Sequence, residues 1–206
     1  MISSIIFFLI AVASSCASAT KMDEKPVVVG PGSVIWSSTI STGVKWYALD
    51  DVVMGGKSKT NLPPGSKFDG HWTGVVSTAN NGGFAGIRTE LFMPPKNASS
   101  CGGYSLTLTG DGQRYKFVTH DTPAWDGIAW SSPFNTTAGE QIIVKVPFSE
   151  LVPTMRASTV RISRPFNTGS ISDVQLTLSK FEYDGVLNPS FKAGPFHLML
   201  KQISFY

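Results

Sequence analysis

Four separated stretches alternate apolar and polar residues with period two, and that pattern restricts the chain to half-buried strands. Tyr104, Leu106 and Leu108 alternate with Ser105, Thr107 and Thr109. Ile142, Val144 and Val146 share one face of a second run, and Val174, Leu176 and Leu178 alternate with Gln175, Thr177 and Ser179 in a third. Near the C-terminus Phe196, Leu198 and Leu200 face away from His197, Met199 and Lys201. Successive strand side chains point to opposite faces, so each run offers one face to a core and one to solvent. No window carries a long helical period. The 20 Gly and 13 Pro break the chain into short runs, as turns do in an antiparallel sandwich. Asn80-Asn81-Gly82-Gly83 separates Val75-Val76 from residues 84–87, and Gly110-Asp111-Gly112 separates 106–108 from 115–118. Asn-Gly and Asp-Gly supply the positive φ that tight hairpins need. The predicted class is an all-β sandwich. With 206 residues, no repeat and no linker, it forms a single domain.

Charge is sparse, at 15% of residues with a net of +3. No Lys/Arg cluster marks a nucleic-acid surface. Residues 1–19 read as an export signal, because Ile5 to Val12 form a short apolar core ahead of Ala17-Ser18-Ala19. That run is too short to span a bilayer, so no membrane span remains once the signal is removed. A mitochondrial presequence is the alternative, although it should be Arg-rich, and the first basic residue is Lys21. The expected organisation is a signal over 1–19, a tail over 20–33 and a β-sandwich over 34–206. Cleavage after Ala19 leaves Cys101 alone. It is a buried or loop thiol on one reading and an intermolecular pairing site on the other. Asn97-Ala98-Ser99 and Asn135-Thr136-Thr137 are sequons, making Asn97 and Asn135 glycan acceptors in a secreted glycoprotein.

The segment VVMGGKS (52–58) invites a phosphate-loop reading, which the spacing rejects. The loop needs a glycine at position 51, where Asp51 would repel the anion, and Pro63-Pro64 prevent the helix that should follow. No His-Glu-x-x-His, Cys-x-x-Cys or Gly-x-Ser-x-Gly is present. His71, His120 and His197 lie far apart in sequence, which is not the spacing of a zinc site. His120-Asp121 offers an acid–base pair with no nucleophile tied to it. The expectation is a non-enzyme with no cofactor and no metal.

Four glycine-rich stretches occur in a set order: DDVVMGGKS (50–58), FDGHWTGVVSTANNGGFAGIRTE (68–90), GDGQRYKF (110–117) and NPSFKAGPFHLMLKQISFY (188–206). Together they resemble the complex I intermediate-associated protein 30 family, from about Trp46 to the C-terminus. The resemblance implies a galactose-binding-domain-like jelly roll. It also implies a non-catalytic, chaperone-like role in assembling mitochondrial NADH:ubiquinone oxidoreductase. Asp51, Met54, Gly55, Gly56 and Ser58 match the family's Asp-x-x-Met-Gly-Gly-x-Ser segment. Asn81, Gly82, Gly83, Phe84 and Arg88 match Asn-Gly-Gly-Phe-x-x-x-Arg. Gly110, Asp111, Gly112, Arg114 and Tyr115 match Gly-Asp-Gly-x-x-Tyr. On this reading Gly55 and Gly56 turn the backbone, Met54 packs inward, and Asp51 bonds nearby N–H groups. Arg88 is then the partner of a carboxylate such as Asp51 or Asp111. These groups either brace loops or floor a ligand groove.

The partner is a protein or a glycan. A lectin would stack sugars on Trp72, Trp125 or Trp130, with Asp111, Asp126 and Arg114 bonding hydroxyls, and TPAWDGIAW (122–130) is the best loop for it. Trp46 and Trp72 suit the core, whereas Trp125, between Pro123 and Gly127, suits exposure. Calcium on Asp126 or Asp184 has no motif behind it.

Overall fold

Two antiparallel sheets face each other in the computed structural model, which describes residues 24–206; the predicted export signal lies outside the described residues. The seven-stranded sheet runs in the order β13 (Ser158–Thr159), β12 (Val152–Met155), β10 (Ala129–Asn135), β9 (Arg114–His120), β14 (Asp173–Ser179), β6 (Phe84–Thr89), β3 (Trp46–Ala48). The six-stranded sheet runs β11 (Gln141–Pro147), β8 (Gly103–Thr109), β15 (Gly194–Phe205), β5 (His71–Val76), β4 (Lys59–Thr60), with β2 (Val34–Ser37) also paired to β15. The stretch predicted as a tail contributes β1 (Val27–Val28), which pairs in parallel with β7 (Lys96–Asn97). Only 3₁₀ turns interrupt the strands among the described residues, at Asp51–Met54, Ala79–Asn81 and Phe148–Glu150. The fold is a jelly-roll β-sandwich: the alternation predicts the sandwich, and the family resemblance implies the jelly roll.

The alternating runs supply the core. Leu106, Leu108, Leu176, Leu178 and Leu198 are all fully buried, each contributing about 2 kcal/mol of apolar burial. Aromatic side chains pack into the same core. Trp36, Trp46 and Phe68 meet at ring separations of 5.0–6.0 Å, and Trp72 packs edge-on to Tyr115 and Phe196. In β15 the alternation changes parity. A register shift between Leu200 and Gln202 on the β8 side inserts one residue, so Ile203 and Phe205 turn inward after Phe196, Leu198 and Leu200.

Two connections differ from expectation. The 80–83 turn joins β5 to β6, and the 110–112 turn joins β8 to β9; in both cases the two strands belong to different sheets. They are crossovers rather than hairpins. Asn80, Asn81, Gly83 and Gly112 do take positive φ, but the freedom serves to lead the chain across the edge of the sandwich.

Candidate functional site

Asp51 ties three segments together. Its Oδ1 accepts the Ser58 N–H at 2.9 Å, and its Oδ2 accepts the Ser58 hydroxyl at 2.8 Å and the Gly83 N–H at 2.7 Å. The Phe84 N–H reaches Oδ2 at 3.3 Å. Burial pushes the carboxyl up, but the Gly83 N–H and the Ser58 hydroxyl and N–H outweigh it and hold Asp51 below the ordinary carboxylate range. A Cβ at Gly56 or Gly82 would collide with this carboxylate, which is why glycines flank it. Asp50 makes a parallel clamp on Thr60, through its N–H at 2.8 Å and its hydroxyl at 2.7 Å. Asn80 Nδ2 closes the assembly on the Gly55 carbonyl at 3.1 Å, with Asn81 exposed beside it. Met54 is not inward. With Asp51 drawn into the clasp, the 3₁₀ turn presents its other face, and Val52, Val53 and Met54 are 60%, 79% and 77% exposed.

The outer face of the seven-stranded sheet is the second feature. Register lines up Tyr47, Arg88, Gln175, Val118, Ser131 and Val152 across six strands. Gly86, Thr177, Lys116 and Pro133 form the next row, and Asp173, His120, Ala129 and Thr154 the row on the other side. These positions alternate with core residues such as Ile87, Leu176 and Phe117, so they point away from the core. Arg88 is nonetheless only 4% exposed, and Lys116, Val118, His120 and Thr177 are buried as well. Arg88 does not pair with Asp51 or Asp111; its Nη2 meets Asp173 Oδ2 at 2.7 Å, and Asp173 Oδ1 lies 2.8 Å from His120 Nδ1. The pairing is diagonal between adjacent strands, which sequence distance conceals. Lys116 Nζ donates to the carbonyls of Phe181 at 3.0 Å and Glu182 at 2.7 Å under the Tyr183 ring. Burial pushes its ammonium down to about 8, against the nearby Glu182 carboxylate.

Three loops cover this face and are bonded to one another. Trp125 lies over Arg88, 4.8 Å from ring centroid to guanidinium carbon, and its carbonyl accepts from Arg88 Nη1 at 3.3 Å. Asp126 pairs with Arg156 in the β12–β13 turn at 2.5 Å. Asp184 then joins that turn to the 181–187 loop, donating its N–H to the Ala157 carbonyl at 3.0 Å and accepting the Thr159 N–H and hydroxyl at 2.8 Å each. Trp125 stays 71% exposed, an indole fixed on its inner side and open on its outer side.

The remaining predicted residues fall elsewhere. Asp111 is a brace, accepting from Gln113 N at 3.1 Å, Tyr115 Oη at 3.0 Å and His197 N at 3.0 Å. Tyr115 is a core residue, and burial beside the Asp111 carboxylate pushes its phenol well up. Arg114 is occupied by Glu182 and by Asn135 Oδ1 at 2.8 Å. Trp130 is buried against Phe166, so it is no sugar platform, and Trp72 is buried too. His120 and Asp121 do not act together, since Asp121 bonds Arg164 Nη2 at 3.0 Å while His120 meets Asp173. Asn97 Oδ1 accepts the Ser99 hydroxyl at 2.7 Å, and Cys101 is a half-buried free thiol. Asp173, Lys116 and Tyr183 were missed: Asp173 follows Ser172 at a strand start, with no motif to mark it.

A profile described as complex I intermediate-associated protein 30 matches residues 37–200. The chain belongs to that family. No curated protein matches it. Among solved structures it is similar to the family 11 carbohydrate-binding module of the cellulosomal cellulase Lic26A-Cel5E of Clostridium thermocellum. The identity is 14% and the TM-score 0.56, over 84% of this chain and 94% of that one. A family 11 module from Clostridium thermocellum in complex with a β-1,3-1,4-mixed-linked tetrasaccharide is similar at 14% identity and TM-score 0.55, over 83% and 93% of the two chains. That likeness is one of fold. The complex I intermediate-associated protein 30 segments now have physical roles in this chain. Asp-x-x-Met-Gly-Gly-x-Ser and Asn-Gly-Gly-Phe are the two halves of the Asp51 clasp, and the Arg88 that follows is the buried cation of the outer face.

Proposed function

We propose that the protein is a non-catalytic, chaperone-like interaction module that binds a protein partner through the apolar tip Val52-Val53-Met54, and that it acts after export through the secretory pathway. The observation that carries this reading is the pairing of exposure with rigidity. Three adjacent apolar side chains stand in solvent on a turn anchored by four hydrogen bonds to one buried carboxylate. Exposed apolar groups held in a fixed geometry offer area to a partner at little ordering cost. Family membership supports the same reading, because the family is named for an assembly factor. The test places a photo-crosslinking residue at Val53 in the source cell. A discrete adduct that Met54→Asp abolishes supports the tip; a chain that yields none, or whose adduct survives Met54→Asp, does not use it. Adducts with complex I subunits would place the chain in the mitochondrion instead of the secretory route.

A second reading rests on Trp125. An exposed indole beside the polar outer face suits stacking on a sugar ring, and a similar clostridial module was solved with a mixed-linked tetrasaccharide. Glycan-array binding lost in Trp125→Ala and kept in Met54→Asp would favour this reading over the tip.

A further inference from the structure

The outer face of the six-stranded sheet brings together two histidines that lie 126 positions apart in sequence (197 minus 71). Register places His71 opposite Met199 and Thr73 opposite His197 on β5 and β15. His71, His197 and Met199 therefore project from one face, the two histidines exposed and the methionine half-buried. The imidazole centroids are 5.9 Å apart with 20° between their planes. The near-parallel rings are stacked side by side, and rotation of both about the Cβ–Cγ bond turns a nitrogen of each toward the space between them. With a metal–nitrogen bond of about 2 Å and a ring radius of about 1 Å, two imidazoles on opposite sides of one ion have centroids about 6 Å apart.

Two carboxylates and one ammonium border the pair: Lys201, two residues beyond Met199, is exposed on the same strand, and its Nζ donates to Gln141 Oε1. Asp69 Oδ1 accepts the His71 N–H at 2.9 Å, and Asp111 Oδ2 accepts the His197 N–H at 3.0 Å. Each histidine thus carries a carboxylate against its own backbone. The ligand set decides which cation. Among the described residues no three His, Cys, Asp or Glu side chains converge, so a four-ligand zinc site is not assembled. Two imidazoles and a thioether make a soft, low-coordinate set, and thioether sulfur selects copper(I). The unbranched methionine has three rotatable bonds with which to bring its sulfur to the ion.

We propose that His71, His197 and Met199 bind one copper(I) ion on the outer face of the six-stranded sheet. The experiment titrates the protein with copper(I) under reducing, oxygen-free conditions against a chromophoric chelator. A Cys101→Ser background removes the rival soft ligand. The expected result is one ion per chain, with affinity reduced at least about tenfold in His71→Ala and in His197→Ala. Met199→Leu should weaken copper(I) binding as well, because it removes the thioether sulfur. All three side chains lie outside the core, so melting temperatures should match the parent. Three results would overturn the site: no saturable binding, unchanged affinity in the His71→Ala/His197→Ala double variant, or unchanged copper(I) affinity in Met199→Leu.

Discussion

Asp51 is the residue on which the glycine-rich segments converge. Its carboxylate is needed in ionised form, because every contact it makes is an acceptor contact. Asp51→Asn replaces one acceptor oxygen with a donor facing N–H groups, and should cost about 3 kcal/mol in urea unfolding. Gly56→Ala should cost about 2 kcal/mol, because the new methyl meets the same carboxylate. Folding holds the Asp51 pKa below its unfolded value. Its contribution is therefore present above the ordinary carboxylate pKa and is lost as pH falls through the folded value. An acid titration of stability should show parent and Asp51→Asn converging at low pH. Exposed Met54 behaves oppositely: Met54→Asp should leave the melting temperature unchanged.

At the scale of elements, the outer-face row and its loops are coupled. Arg88→Ala leaves Asp173 buried beside His120 without its cation, and should cost about 3–5 kcal/mol in denaturant unfolding. A variant that stays fully stable and loses only ligand binding would show that the pair serves the groove rather than the sheet. The β12–β13 turn puts Arg156 and Ala157 at φ 50° and 63°, a left-handed pair usually filled by Asn-Gly. Ala157→Gly should stabilise the protein by about 1 kcal/mol, read as a rise in melting temperature. Nothing in the period of the chain announces this turn, since neither residue is a turn former. The strands themselves were legible, because Val174, Leu176 and Leu178 carry their burial in their spacing. The sheet assignment of the two glycine turns was not, because positive φ permits a hairpin and a crossover alike.

At the scale of the molecule, stability should depend on alkaline pH through ionisable groups that folding buries. Lys116 has a folded pKa near 8, below its unfolded value of 10.5. The folded state therefore carries a desolvated cation below pH 8, and the penalty fades as pH rises toward 10.5. Unfolding free energy should climb by about 2 kcal/mol between pH 8 and 10, and Lys116→Met should flatten that climb. Above pH 10 the sign reverses. Burial keeps the Tyr104 and Tyr115 phenols protonated in the fold while the unfolded chain ionises.

Period-two alternation, turn residues and the ordered glycine segments determined the class of fold, the family and most of the core, since these follow from local chemistry along one chain. Which charges meet was decided only by the tertiary structure. Arg88 finds Asp173, His71 finds His197, and Trp125 covers Arg88 because strand register and sheet order bring distant residues within a few ångströms. The outward face of Met54 was decided there too. A 3₁₀ turn has one inward side, and the four hydrogen bonds available to a carboxylate gave that side to Asp51.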